Sequence, residues 1–178
     1  MDLFDWILVL AMIRNLRAME EHMSYDEYSL AFDGEMLKRG FWLQAWTIGY
    51  NGQQYIYLDH TGDDTLSNAP SPLNGLSQHL DSSKHAPDNC LSTRLRALDI
   101  DPRACHFRML ALGPIFEEQL TFHKHEPLRD QMDRLKYELA AFLIWRGFEV
   151  IGNCRKGASV SQSLLDEVKS KVMAFVAG

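Results

Sequence analysis

The sequence predicts an α/β domain: a small, mostly antiparallel central sheet of three to four strands flanked by helices, with an extra N-terminal helical segment. Three observations predict it. Residues 41–58 hold two apolar, aromatic runs on either side of Asn51-Gly52. That dipeptide makes a tight hairpin because both of its residues accept positive φ. Further strand-like runs recur at 106–112 and 148–151. Between and around these runs, apolar residues return at three- and four-residue steps, the period of a helix with one buried face.

Taken in order, Leu3, Ile7, Leu10 and Ile13 mark a helix over 3–21. Ser24 with Glu27 three residues later forms a capping-box pattern, opening a second helix over 25–37 that is interrupted near Gly34. The hairpin strands follow at 41–48 and 54–58. A polar loop with Gly62, Pro70 and Pro72 occupies 59–74, and 73–80 reads as a short helix overlapping its end. Asp88 or Asn89 caps a helix over 90–98, which Asp101-Pro102 ends. A third strand runs from His106 to Leu112 and is closed by Gly113-Pro114. A loop with His123, Lys124 and His125 leads to a long helix over 128–146, stopped by Gly147 at the position after its C-cap. A short fourth strand covers 148–151, and Ser161 or Ser163 opens a last helix to Phe175.

Three segments result: an acidic helical extension at 1–39, the α/β domain at 40–153, and a C-terminal helical tail at 154–178. At 178 residues and 46% hydrophobic content, the chain can bury a sizeable core. Its formal net charge is -6. Residues 1–39 carry eight acidic against four basic side chains, so that segment accounts for most of the excess. This balance argues against a surface that grips nucleic acid everywhere and leaves room for a local basic cleft. Cys90, Cys105 and Cys154 have no metal-ligand spacing and read as reduced thiols. The apolar start carries Asp2 and Asp5 where a signal peptide is basic, and Arg14 ends it short of a membrane span. A soluble, cytoplasmic protein with no membrane partner is therefore expected. Phe4, Ile7, Leu8 and Ile13 offer a homodimer interface through the N-terminal helices.

From Gly40 to Asn153 the order of elements, and several residues, resemble the GIY-YIG nuclease domain. Gly40-Phe41-Trp42 lies where that family has its GIY triplet. Tyr57-Leu58-Asp59 lies where it has YIG, followed by His60-Thr61-Gly62-Asp63. An alternative register places Tyr55-Ile56-Tyr57 on YIG, which keeps the same strand face. The helix containing Gly75 and His79 is similar to one that carries an arginine and, four residues later, a histidine. The segment 134–153 resembles the helix that supplies the family's metal-binding glutamate, here Glu138.

The resemblance implies metal-dependent hydrolysis of a nucleic-acid phosphodiester. It makes Tyr57, His79 and Glu138 the catalytic candidates, Glu138 the ligand of Mg²⁺ or Mn²⁺, and DNA or RNA the partner. Each residue type suits the chemistry. Water must lose a proton to a base, the charge growing on phosphate must meet a cation, and a hard metal ion takes carboxylate oxygen. Three positions depart from the family. Trp42 replaces a tyrosine, and an indole N–H cannot act as a base. Gly75 stands where the arginine belongs, and Asp59 where the glycine belongs. Arg94, Arg96 and Trp42 are the substrate-binding candidates, the two arginines two residues apart and so on different helix faces. His60 is a further candidate base. His123 and His125, in an extended segment, would point the same way beside Glu126. Lys84, Arg94, Arg96, Arg103 and Arg108, with His85 and His106, gather in one quarter of the chain, diluted by Asp88, Asp99 and Asp101. Two readings follow: a divergent nuclease, or a module of the same fold that binds nucleic acid or a protein without cutting.

Overall fold

The structure, a computed structural model, describes residues 29–81, 83, 90–152 and 154–178. The hairpin forms where Asn51-Gly52 places it. Asn51 has φ 50° and Gly52 φ 77°, the left-handed pair that lets two strands return without splaying. Strand β1 (Phe41–Tyr50) pairs antiparallel with β2 (Gln53–His60), Gln44 opposite Asp59 and Trp46 opposite Tyr57. Strand β3 (His106–Phe116) pairs antiparallel with the other side of β1, and β4 (Glu149–Ile151) pairs parallel with β2. The sheet order is β3-β1-β2-β4, a four-stranded mixed sheet flanked by helices.

Alternation along β1 builds two cores. Phe41, Leu43 and Ala45, with Ile56 and Leu58 of β2, pack against helices α3 (Phe122–Trp145) and α4 (Gln162–Ala177). Trp46, Ile48, Tyr55 and Tyr57 pack on the opposite face with Leu91 and Leu95 of helix α2 (Leu91–Arg96) and Leu76 of helix α1 (Pro72–His79). Each fully buried Leu, Ile or Phe contributes about 1.5–3 kcal/mol, so both faces hold the sheet. Residues 154–178 are expected to form a tail, and their helix α4 supplies Leu165, Val168, Val172 and Val176 to the first core.

Four elements differ from expectation. Strand β3 does not end at Gly113-Pro114 but runs to Phe116, with a register shift opposite Phe41 and Leu43. It is an edge strand, where a residue without an N–H costs no ladder bond. Strand β2 extends to His60, which puts Asp59 and His60 on the sheet rather than in a loop. Helix α3 begins at Phe122 and contains His123, Lys124, His125 and Pro127. Its first turn is held by His125, which is fully buried against Phe41 and stacked on Phe122, with Nε2 3.0 Å from the Asp63 carbonyl. His123 and His125 therefore do not form the extended pair. Among the described residues of the expected second helix, only the 3-10 turn Gly34–Leu37 forms. The helix over 3–21 and the dimer stripe on it lie outside the described residues, as do Lys84, His85, Asp88 and Asn89. Among the described residues, no helix is long and apolar enough to cross a membrane.

Candidate functional site

A cleft of about 530 Å³ opens at the C-terminal end of β2, and a cavity of about 190 Å³ shares Asp59, His60 and His79 with it. Local chemistry explains why the polar groups meet there. Along β2, Tyr57 and Asp59 face α1 and α2, whereas Leu58 and His60 face α3. Pro72 starts α1 at a position that needs no N–H, after Ser71 in extended conformation. Gly75 and His79 then lie one helical turn apart, on the side of α1 that meets the sheet. A Cβ on Gly75 would sit 2.8 Å from Gln44 Nε2. The helix thus rests directly on the Gln44 amide, which a larger residue at this position would have to displace. One turn later His79 reaches Asp59.

An ionic chain crosses the sheet edge. His79 Nε2 lies 2.8 Å from Asp59 Oδ2, and Lys136 Nζ lies 3.5 Å from Asp59 Oδ1. The same ammonium is 3.6 Å from Asp133 Oδ1, which in turn is 3.1 Å from His60 Nε2. His60 Nδ1 accepts from the Gly62 N–H at 3.1 Å. Lys136 reaches the far face because β4 pairs only with Tyr55–Tyr57, leaving the β2 edge beyond them without a strand partner from β4. Burial opposes ionisation of Asp59, yet the His79 hydrogen bond, Lys136 and the two histidines' positive potential hold its carboxyl well below the usual range. Burial likewise opposes ionisation of Asp133, and His60, Lys136 and Arg155 overcome it.

Tyr57 is buried beside this chain, its ring edge-on to His79 with centroids 5.3 Å apart. The Arg94 guanidinium lies 6.0 Å from the centroid of the Tyr57 ring. Burial raises the Tyr57 phenol far above its ordinary value, with Asp59 adding to the rise and Arg94 opposing it. The hydroxyl therefore stays protonated. Among the described residues, His79 Nδ1 and, in the adjoining cavity, Gln44 Oε1 are buried without a hydrogen-bond partner. His79 Nε2 faces the Asp59 carboxylate, and Nδ1 faces the protein interior. Cys90 also lines the smaller cavity, its Sγ 3.1 Å from both Ser92 Oγ and Thr93 Oγ1.

Of the residues singled out in the sequence, Tyr57, His79 and Arg94 converge, and His60 joins them as a fully hydrogen-bonded support. The others lie elsewhere. Glu138 is paired with Arg134 at 2.5 Å and lines a separate cavity with Ser159 and Gln162. Arg96 is exposed and lines another with Asp101 and Arg103. Trp42 is buried, its indole N–H donating to the Lys38 carbonyl at 3.0 Å. Lys136, Asp133 and Gln44 escape the sequence reading, and Asp59 enters it only as a departure from a glycine. One signal for two of them is present: Asp133 and Lys136 interrupt the apolar stripe Met132, Leu135, Leu139 and Leu143 of α3.

Four carboxylates and three cations line the cleft: Asp59, Asp63, Asp64 and Asp133 against Arg94, Lys136 and Arg155. Every one of the carboxylates has a donor. Asp63 accepts from the Thr65 and Leu66 N–H groups, and Asp64 pairs with Arg155 at 2.8 Å. Among the described residues, no three His, Cys, Asp or Glu side chains are placed to hold a metal ion. Glu138, the expected metal ligand, lies outside this cleft and is engaged with Arg134. No known family model, curated protein or solved structure matches this chain.

Proposed function

We propose that the cleft binds a nucleic-acid phosphodiester and cleaves it by acid–base chemistry centred on His79. The observation that carries this reading is the convergence of Tyr57, His79 and Arg94 with Asp59 and Lys136 in one cleft. Asp59 holds the His79 imidazole through Nε2 at the wall of the cleft. The Tyr57 hydroxyl donates toward phosphate oxygen, and the Arg94 and Lys136 charges stand where negative charge would grow. Perturbed ionisation of Tyr57, Asp59 and Asp133 in one cleft is the pattern expected of a working site.

The test is incubation of the purified chain with plasmid DNA and with single-stranded DNA and RNA, with Mg²⁺ or Mn²⁺ and with EDTA. Cleavage should fall about 100- to 10,000-fold in His79→Ala, with the melting transition of the variant showing that it folds. Cleavage undiminished in that variant overturns the assignment. The competing reading is a module of similar fold that binds without cutting. It is favoured by the engagement of Glu138 with Arg134, away from the cleft. Salt-sensitive binding with no cleavage in any buffer would establish it.

A further inference from the structure

Resting on the reading of the chain as a nucleic-acid enzyme, we infer that the C-terminal end of α3 is a second contact, outside the cleft, for a single-stranded nucleic acid. A base of the strand stacks on Trp145, and its phosphates meet Arg146 and Lys169. Core packing does not account for what this end of the helix displays. Helix α3 buries Met132, Leu135, Leu139 and Leu143. Its last turn then places Trp145 77% and Ile144 58% in solvent, whereas Trp42 and Trp46 are buried. The chain turns away at Gly147 with φ 90°, where an added Cβ would meet nothing within 4 Å. The Trp145 ring thus stands at an open corner. It is also braced: the Phe142 ring lies beside it, with centroids 6.4 Å apart. An indole held in place and left in water is a ready stacking platform, because little ordering cost remains when a flat ligand arrives.

Charge selects the partner. The Arg146 guanidinium lies 6.0 Å from the centroid of the Trp145 ring, and Lys169 Nζ of α4 lies 5.2 Å from that of Phe142. Among the described residues, neither cation is in an ion pair. Nearby carboxylates on the same two helices are engaged with other groups, Glu138 with Arg134 and Glu167 with Lys171. A cation over a neutral ring keeps its net charge. The corner therefore offers an exposed aromatic face and two positive charges. A protein partner that closed an apolar pocket over Trp145 would draw both cations out of water, at a cost that only carboxylates placed to meet each could offset. A single strand answers both features with its own repeat, one π face and one negative charge per nucleotide. A duplex keeps its base faces inside the stack and offers only the charge.

The surface is confined to this end of the helix. Three turns earlier on the same line of α3, the Arg134 guanidinium lies 5.8 Å from the centroid of the Tyr137 ring, but Glu138 answers its charge. Lys136, which lies between the Asp59 and Asp133 carboxylates, is half a turn round the helix from Trp145. The corner and the cleft thus face different ways, and each can be altered without touching the other.

The experiment uses the full chain with labelled oligo(dT) and oligo(U) in EDTA, read by fluorescence anisotropy over a range of salt. Trp145→Ala should weaken binding of both by about 5- to 100-fold, with an unchanged melting transition, and Trp145→Phe should stay within about three-fold of native because it keeps a π face. Arg146→Met and Lys169→Met should each lower the slope of log affinity against log salt by about 0.7. Binding undiminished in Trp145→Ala, or slopes unchanged in both cation variants, overturns the inference. Binding that falls in Arg94→Met but not in Trp145→Ala places the strand in the cleft alone; the inference then fails and the phosphodiester reading stands. No binding of either oligonucleotide also overturns it, and cleavage in the plasmid assay would still carry the phosphodiester reading. A self-associated form seen by sedimentation and lost in Trp145→Ala, with no oligonucleotide bound, gives the surface to a second copy of the chain and overturns the inference in favour of a protein contact.

Discussion

Replacing Lys136 by methionine removes the one ammonium that stands between two carboxylates. In the native protein Nζ is 3.5 Å from Asp59 and 3.6 Å from Asp133, with the lysine side chain 10% exposed. At these separations each attraction lies between about 1 kcal/mol in water and about 5 kcal/mol at an effective dielectric of 20. The cost of withdrawing the ammonium from water offsets part of this. The variant can also limit its loss by protonating one aspartate, which at pH 7 costs about 4 kcal/mol for a carboxyl of ordinary pKa. A net destabilisation of about 2–4 kcal/mol is expected at pH 7, measured by urea unfolding. That is a fall in melting temperature of about 5–15 °C for a domain of this size. The effect depends on pH in a fixed direction. Asp59 and Asp133 have folded pKa values below their unfolded ones, so their stabilisation is complete above about pH 4 and fades as pH falls through the folded values. The gap between native and variant should therefore be widest at pH 7 and narrow toward pH 3. A loss below ~0.5 kcal/mol, or a gap equal at pH 3 and pH 7, would refute the reasoning. Lys38→Met, which removes an exposed pair with Glu35, is the control and should cost less than ~0.5 kcal/mol.

Gly75→Ala should destabilise by about 1–3 kcal/mol and weaken the reach of His79, because the new methyl meets Gln44 at 2.8 Å; urea unfolding reads the first effect and the His79 imidazole NMR shift the second. Glu138→Ala should leave cleavage within about two-fold of native and stability within ~0.5 kcal/mol, as expected for loss of an i,i+4 pair. The native protein should lose stability steadily below about pH 4 as Asp59 and Asp133 protonate, visible as a falling urea midpoint between pH 5 and pH 2. His125→Ala should cost about 2–4 kcal/mol in the same assay, since it empties a fully buried site and frees the first turn of α3.

Elements whose signal is local were legible in the chain. Asn51-Gly52 sets the hairpin, and the spacing of Leu135, Leu139 and Phe142 marks α3, because turn chemistry and periodicity are properties of short segments. Pro114 misled because a proline reads as a stop, yet an edge strand tolerates it. The loop expected before 128 is helix instead, because the burial of His125 holds its first turn. Asp59 looked like a lost glycine because its meaning depends on His79 and Lys136, 20 and 77 residues away in sequence. Glu138 stood as a ligand through the family resemblance alone. Two residues make a 200° turn on a helix, so Lys136 faces the sheet edge and Glu138 lies away from it.

Strand β4 stops after three residues, and Gly152 turns the chain away at φ 100°, with its Cβ position 3.1 Å from the Tyr57 ring. Had the strand continued by two pairs, its backbone would have sealed the edge of β2 and Lys136 could not have crossed it. The early stop makes the sheet a partition with a doorway. Through it, the layer that carries His79 and the layer built on α3 share one charge, so a group that draws Asp59 away leaves Lys136 to Asp133 and tightens that pair. Occupancy on one side is then readable on the other, as a change in amide exchange along α3 that no direct contact with the bound group would produce.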